Sequence, residues 1–128
     1  MKISYITVQK VEQSLIIMSN FHLSNFVNYM FVNGLAMTKL GAAEANYQLG
    51  LLTDEQYKAI TQACREILEG KHHEYFPVDM IQGGAGTTTN MNANEVIANR
   101  ALQIMGYPLG KYKHCSPNDH VNCSQSTN

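Results

Sequence analysis

Apolar residues recur at helical spacing in the first part of the chain. Between residues 26 and 49 they fall about 3.6 residues apart, on a face made of Phe26, Tyr29, Met30, Asn33, Met37, Leu40 and Ala43. Gly34 and Gly41 weaken a helix by about 1 kcal/mol each relative to alanine, or they allow a neighbouring helix to approach closely. Gly50 is suited to ending the helix. The pattern predicts a first long helix that ends near Leu49.

A second helix has local signals at both of its ends. Thr53 is followed three residues later by Gln56, which is the spacing of a capping box. The helix is predicted to run to about Glu69, because Gly70 then provides a typical C-terminal stop. Its expected apolar face consists of Tyr57, Ile60, Ala63, Cys64, Ile67 and Leu68.

A third helix is predicted from Asn90 to Met105, with a start among the threonines at 87–89, each an acceptable cap. Its apolar stripe is Ala93, Ile97, Ala101, Ile104 and Met105. The segments 71–81 and 107–119 are interpreted as an extended connection and a loop. Three helices therefore make the chain mainly α, with strand content confined to residues 1–10 or 71–82.

Composition excludes several classes of function. The chain has 128 residues, about one domain, and 45% of them are hydrophobic, which is typical of a globular protein. A net charge of −1 gives no electrostatic case for nucleic acid or an anionic membrane. No apolar run approaches the ~18 residues of a membrane span. Three cysteines and no secretory signal favour reduced thiols and a cytoplasmic location.

A polar, glycine-rich run extends from Gln82 to Glu95. Its glycines let the backbone approach a ligand, and the threonines that follow lie where a helix begins. A helix N-terminus has unpaired N–H groups and a partial positive charge, so Thr87 is a candidate anion ligand. A capped helix after a flexible loop explains the same residues, and spacing alone favours that simpler interpretation. No lysine follows the glycines, which excludes a nucleotide P-loop.

A second polar run extends from Pro117 to Asn128 and ends in Ser126, Thr127 and Asn128. Three consecutive small hydrogen-bonding side chains can surround a carboxylate. A frayed, solvated C-terminal segment is the alternative, and local residues alone favour it. The potential metal ligands nearby are His114, Cys115, His120 and Cys123, but their spacing matches no common zinc pattern. No metal site is expected.

The two runs together resemble the aspartase/fumarase superfamily. Residues 82–101 are similar to its first conserved region, and residues 117–128 to the start of its second, in the same order. The resemblance is clear from about Phe26 onward. Fumarases usually have the sequence Gly-Ser-Gly-Thr-Gln where this chain has Gly84-Ala85-Gly86-Thr87-Thr88. They usually have Gln-Ser-Ser-Asn where this chain has Gln125-Ser126-Thr127-Asn128. Both differences make the chain more similar to the aspartate ammonia-lyase branch.

The resemblance implies a fold and an assembly. Residues 1–115 would form the N-terminal helical domain of the fumarate lyase fold, and residues 116–128 would begin its central helical-bundle domain. Members of the superfamily are homotetramers in which each active site draws on three subunits. The chain is accordingly interpreted as a fragment that lacks the bundle.

The resemblance also implies a reaction, the reversible elimination of ammonia from L-aspartate to give fumarate without a cofactor. It makes Thr87, Ser126, Thr127 and Asn128 the ligands of the substrate carboxylates. The base of the superfamily is a serine on a later Gly-Ser-Ser loop, so no catalytic residue is expected here and the chain alone should be inactive. A class II fumarase fragment and a non-catalytic interaction module are the alternatives.

Overall fold

The computed structural model describes residues 29–78 and 86–126. Its helices are α1 (Tyr29–Gln48), α2 (Asp54–Leu68) and α3 (Thr87–Ile104), with a 3₁₀ turn at His73–Tyr75 and a π-helical turn at Pro117–Val121. Neither described range contains a strand, and the prediction of a mainly α chain is confirmed. The extended piece expected within residues 1–10 lies outside the described residues. None of the helices in these ranges is long and apolar enough to cross a membrane.

The helix α2 begins as the sequence predicts. The backbone N–H of Gln56 donates to Thr53 Oγ1 at 3.2 Å, and the N–H of Thr53 donates to Gln56 Oε1 at 3.1 Å. These reciprocal bonds satisfy two donors that a helix start leaves unpaired. The helix ends at Leu68, next to the predicted end, and Gly70 follows it with a φ of +91° that favours glycine.

The core lies where α2 packs between α1 and α3, while α1 and α3 contact each other more sparingly. The π-helical turn packs on α3. The largest side chains that are fully buried in this core are Ile60, Ile67, Ile97, Leu102 and Val32. This arrangement brings the start of α3 and the second polar run to the same side of the molecule.

The predicted apolar face of α1 is largely wrong: Ala43 is buried and Leu40 packs on the core, whereas Tyr29, Met30 and Met37 are exposed and Phe26 lies outside the described residues. The buried residues of this helix are Val32, Ala36, Lys39, Ala43 and Asn46. They recur at intervals of four and three, which is a regular helical stripe. Met30 and Met37, which the sequence placed on the apolar face, are 75% and 63% exposed. The prediction followed the largest apolar side chains, whereas α1 packs through small ones and two polar ones.

The glycines of α1 face open space. A Cβ atom added at Gly34 or Gly41 would meet no atom within 4 Å. The described part of the chain therefore offers no close helix contact to explain them. Gly34→Ala and Gly41→Ala are each expected to raise the free energy of unfolding by about 0.5–1 kcal/mol, since alanine loses less backbone entropy. Urea denaturation of both variants measures this, and a loss of stability would contradict open space at these positions.

An ion pair joins α2 to α3. The Nε of Arg100 donates to Glu66 Oε2 at 2.6 Å, and its Nη2 donates to Glu66 Oε1 at 3.0 Å. The ring of His72 contacts the same carboxylate at 2.8 Å. The Arg100 guanidinium is the main reason that the pKa of Glu66 falls to about 2 from its usual 4.5. A bidentate pair of this kind fixes the relative position of two helices.

This ion pair makes stability depend on acid pH. Because the folded pKa of Glu66 is depressed, the carboxylate stabilises the fold fully above pH 4.5 and progressively less as pH falls towards 2. Arg100→Met is expected to cost about 1–3 kcal/mol at neutral pH and to flatten this acid dependence. Urea unfolding at several pH values between 2 and 7 measures both effects.

Lys71→Met is the matched control. It breaks an exposed pair with Glu69, so it should cost less than about 1 kcal/mol. An acid dependence that is equally steep in the wild type and in Arg100→Met would contradict the assignment to Glu66.

Candidate active site

The helix α3 begins at Thr87, within the threonine run where its start was predicted, and its helical residues begin three positions before Asn90. Gly86 precedes it with a φ of +84°, a conformation that suits glycine. The threonines at 87–89 are therefore the first three helical residues and not caps. Thr87 is exposed, whereas Thr89 is 4% exposed. The backbone N–H groups of a first turn point out of the N-terminus, so this turn is the positive end of α3.

The helix α3 is buried on nearly all sides. Its predicted stripe is buried at Ala93, Ile97 and Ala101 and half-buried at Ile104 and Met105. Beyond that stripe the helix buries further apolar residues and also polar side chains that the apolar pattern could not place: Asn90, Asn92, Asn94, Glu95 and Asn99.

Several of these asparagines hold neighbouring segments. Asn92 Nδ2 donates to the carbonyl of Tyr75 at 2.9 Å. Asn99 Nδ2 donates to the hydroxyl of Tyr112 at 3.1 Å, and Asn99 Oδ1 accepts from the N–H of Gly110 at 2.8 Å. Buried amides of this kind fix the segments that enter and leave the site.

The second polar run starts as a capped turn. Ser116 Oγ accepts from the N–H of Asp119 at 3.1 Å, and Pro117 occupies the first position of the turn. The loop predicted over 107–119 thus ends in a π-helical turn. The N–H of Ser116 donates to His120 Nδ1 at 2.7 Å, so Nδ1 is the acceptor nitrogen of that ring. Burial lowers the pKa of His120, which favours this neutral form.

Asn122 connects the run to both long helices. Its Oδ1 accepts from Lys39 Nζ at 2.7 Å and from Asn90 Nδ2 at 3.2 Å. Its Nδ2 donates to the carbonyls of Ser126 at 3.1 Å and Gln125 at 3.3 Å. A single buried side chain thereby fixes residues 122–126 against α1 and α3.

Two residues of α1 complete this arrangement, and sequence reasoning singled out neither. Lys39 is 2% exposed and also donates to Gln125 Oε1 at 2.9 Å. Asn46 Nδ2 donates to the carbonyl of Cys123 at 3.0 Å. Both lie in the buried stripe with Val32, Ala36 and Ala43. In the sequence, this lysine and this asparagine fall at the same helical spacing as the small apolar residues, and that spacing could have indicated that they are buried.

The predicted ligands Thr87 and Ser126 lie on adjoining cavities. Thr87 lines a cavity of about 740 Å³ together with Met91 and residues of the second run. Ser126 lines one of about 450 Å³ together with Lys39 and Asn90. Gln125 borders both cavities. Asn90 Nδ2, one helical turn after Thr87, reaches the Ser126 carbonyl at 3.5 Å. Thr127 and Asn128 lie outside the described residues, so their roles stay predictions.

The potential metal ligands of the sequence are dispersed. His114 stacks on Tyr107 with ring centroids 3.8 Å apart, and Cys115 is buried. Burial raises the pKa of Cys115 and that of Cys64 to about 12. Across residues 29–78 and 86–126, no three histidine, cysteine or carboxylate groups lie close enough to hold a metal ion.

Known proteins match this chain along most of its length. The model of a protein family described as Lyase matches residues 9–128. Aspartate ammonia-lyases from Pseudomonas aeruginosa and Bacillus subtilis are each 54% identical to it, covering 91% of this chain and 25% of their own. The chain belongs to the aspartase/fumarase superfamily. The superfamily match begins at residue 9, well before the point where its motifs become clear.

Solved structures of the superfamily share this fold. A fumarate lyase:delta crystallin protein from Brucella melitensis superposes with a TM-score of 0.88 at 45% identity, over 99% of this chain and 28% of that one. A class II fumarase from Schistosoma mansoni gives 0.82 at 36% identity, over 99% and 26%. The helices are those of the N-terminal helical domain of the fumarate lyase fold, as predicted. The chain spans about a quarter of the length of the curated relatives it matches.

Proposed function

We propose that this chain supplies carboxylate-binding residues to the active site of an aspartate ammonia-lyase, which converts L-aspartate to fumarate and ammonia without a cofactor. The observation that carries the proposal is the docking of residues 122–126 at the N-terminal end of α3, through Asn122 and Asn90. This contact brings Ser126 beside the helix start that holds Thr87. The names and the identity of the relatives support the same reaction.

The chemistry of this elimination requires such a site. Removal of a Cβ proton transfers negative charge to the β-carboxylate of the substrate, and preorganised donors stabilise that charge best. The hydroxyl of Thr87 lies at the positive end of α3, where a carboxylate is favoured. In the proposal Ser126, Thr127 and Asn128 provide the remaining hydroxyl and amide donors.

The catalytic base of the proposed reaction comes from elsewhere. The 128 residues contain no Gly-Ser-Ser sequence of the kind that carries the base in this superfamily. The buried thiols of Cys64 and Cys115 have pKa values of about 12 and stay protonated at neutral pH. We therefore propose that residues 1–115 and 116–128 work as parts of the N-terminal and bundle domains of a homotetramer in the cytoplasm. Alone, the chain should be inactive.

A fusion tests the proposal. The chain is joined to the part of the Bacillus subtilis aspartate ammonia-lyase that follows the matching quarter, and fumarate formation from L-aspartate is followed by absorbance. Turnover by the fusion, with none by the 128-residue chain, is the expected result. A folded tetrameric fusion without turnover would overturn the proposed function. Turnover by the 128-residue chain alone would contradict the prediction that this chain is inactive.

A class II fumarase is the second candidate, because a fumarate hydratase from Halobacterium salinarum is 48% identical over 110 residues. A fusion of the chain to the remainder of that hydratase, assayed with L-malate, discriminates the two. We expect activity from the aspartase fusion and much less from the fumarase fusion. The exposed apolar residues Met30, Phe31 and Met37 also fit a non-catalytic interaction module, for which neither fusion would be active.

A further inference from the structure

Lys39 is a buried cation whose hydrogen-bond acceptors within the described residues are neutral amides. It is 2% exposed, and its ammonium donates to the amide oxygens of Asn122 at 2.7 Å and Gln125 at 2.9 Å. Within residues 29–78 and 86–126 no carboxylate forms an ion pair with it. Cys64, the nearby titratable group, has a pKa of about 12 and is a neutral thiol at pH 7. Burying an ammonium without a counter-charge is costly, and burial lowers the pKa of Lys39 to about 8.

The hydrogen-bond partners of Lys39 indicate the structural role of this buried charge. Its two acceptors are 83 and 86 residues away in the chain, and both belong to the second polar run. Asn122 also accepts from Asn90 of α3, so the Lys39 ammonium and the Asn90 amide meet on the same oxygen. Gln125 lines both the cavity that contains Thr87 and the cavity that contains Ser126 and Lys39 itself.

We propose that Lys39 is a positioning residue, whose ammonium orients Asn122 and Gln125 so that residues 122–126 and the start of α3 face one carboxylate. The identity of the ligand as a carboxylate rests on the proposed function, whereas the contacts of Lys39 with Asn122 and Gln125 do not depend on it. Lys39 acts through these two amides rather than by touching substrate. A neutral side chain of the same length would fill the space but would leave both amide oxygens without their shared donor.

Hydrogen exchange and side-chain amide resonances of the ¹⁵N-labelled 128-residue chain test the orienting role. In Lys39→Met, the amide signals of Asn122 and Gln125 should shift. The N–H of Asn122 and that of Gln125, which donate to Pro117 and Asn122, should exchange about tenfold faster or more, as expected when a charged hydrogen bond is lost. Amides of α2 should keep their protection, and Lys39→Arg should restore much of the effect. Lys58→Met, at an exposed lysine, is the matched control.

Two results would overturn the proposal. One is that the exchange rates and the amide signals of Asn122 and Gln125 stay unchanged in Lys39→Met. The other is that exchange becomes faster by the same factor in all helices, which would show that Lys39 contributes only to the stability of the core. If Lys39→Met does not fold, Gln125→Met removes one acceptor from a half-buried position, together with the hydrogen bonds from its Nε2 to the carbonyls of Val121 and Cys123. It should reproduce the local increase in exchange, and its failure to do so would equally count against Lys39.

The aspartase fusion separates this inference from the proposed function. There, Lys39→Met should lower kcat/KM for L-aspartate mainly through a higher KM, and Lys39→Arg should recover part of it. An active fusion that tolerates Lys39→Met would refute the positioning role and leave the function intact. An inactive wild-type fusion would refute the function, and the exchange data would still decide the role of Lys39.

Discussion

Thr87→Ala is expected to lower kcat for L-aspartate by about 10²–10³ in an active complete enzyme such as the fusion, as for the loss of one oxyanion donor. Thr87 is exposed, lines the larger cavity and is the first residue of α3. Its hydroxyl and the helix start can therefore both face a carboxylate, and removing the hydroxyl changes little of the packing. Steady-state kinetics and thermal melting of the variant measure the two consequences separately.

Thr89→Ala is the control for that experiment. Thr89 is buried within the first turn of α3, so its truncation should cost about 1 kcal/mol of stability while kcat stays close to that of the wild type. The sequence suggested a capping role for Thr89; its expected effect on stability now follows from burial. Full activity in Thr87→Ala, together with lost activity and unchanged melting in Thr89→Ala, would reverse the roles assigned to the two threonines.

Asn99→Ala is expected to lower the free energy of unfolding by about 2–4 kcal/mol. Asn99 is fully buried, and truncation leaves the N–H of Gly110 and the hydroxyl of Tyr112 without their partner. Both groups belong to the loop that leads from α3 to the second polar run. Urea denaturation gives the loss, and hydrogen exchange should show it concentrated at the N–H of Gly110.

Tyr112→Phe provides the matched comparison, because it removes one hydroxyl and keeps the ring. It should cost about 0.5–1.5 kcal/mol, the usual net value of a single hydrogen bond. Equal losses in the two variants would show that the contact with the Gly110 backbone contributes nothing.

The sequence predicted those parts of the fold that local residues determine. The start of α2 depends on Thr53 and Gln56, three residues apart, and was correct. The buried face of α1 depends on which residues the other helices cover, and size misled the prediction towards Met30 and Met37. For α3, the apolar stripe was largely right, but burial of its asparagines depends on acceptors in distant loops, such as the Tyr75 carbonyl.

The ligand roles that the sequence suggested for the candidate site stay predictions, whereas the positions of two of these residues are given by the structure. Motif resemblance pointed to Thr87 and Ser126, and the structure places both beside the contact of the second run with α3. Lys39 and Asn46 were missed because they belong to neither polar run. Their partners, Asn122 and the Cys123 carbonyl, lie far along the chain, and no local pattern encodes such a pairing.

The pairing of Lys39 with Asn122 also constrains the order of folding. Residues 29–78 contain the sequence needed for α1 and α2 to pack, but both acceptors of the Lys39 ammonium come 83 or more residues later. Closing so long a loop is entropically slower than forming local helices. Until residue 125 leaves the ribosome, α1 must either leave this cation in water or bury it without a partner. Firm docking of α1 should therefore be among the last steps of folding, and it should coincide with formation of the contact between the second polar run and the start of α3.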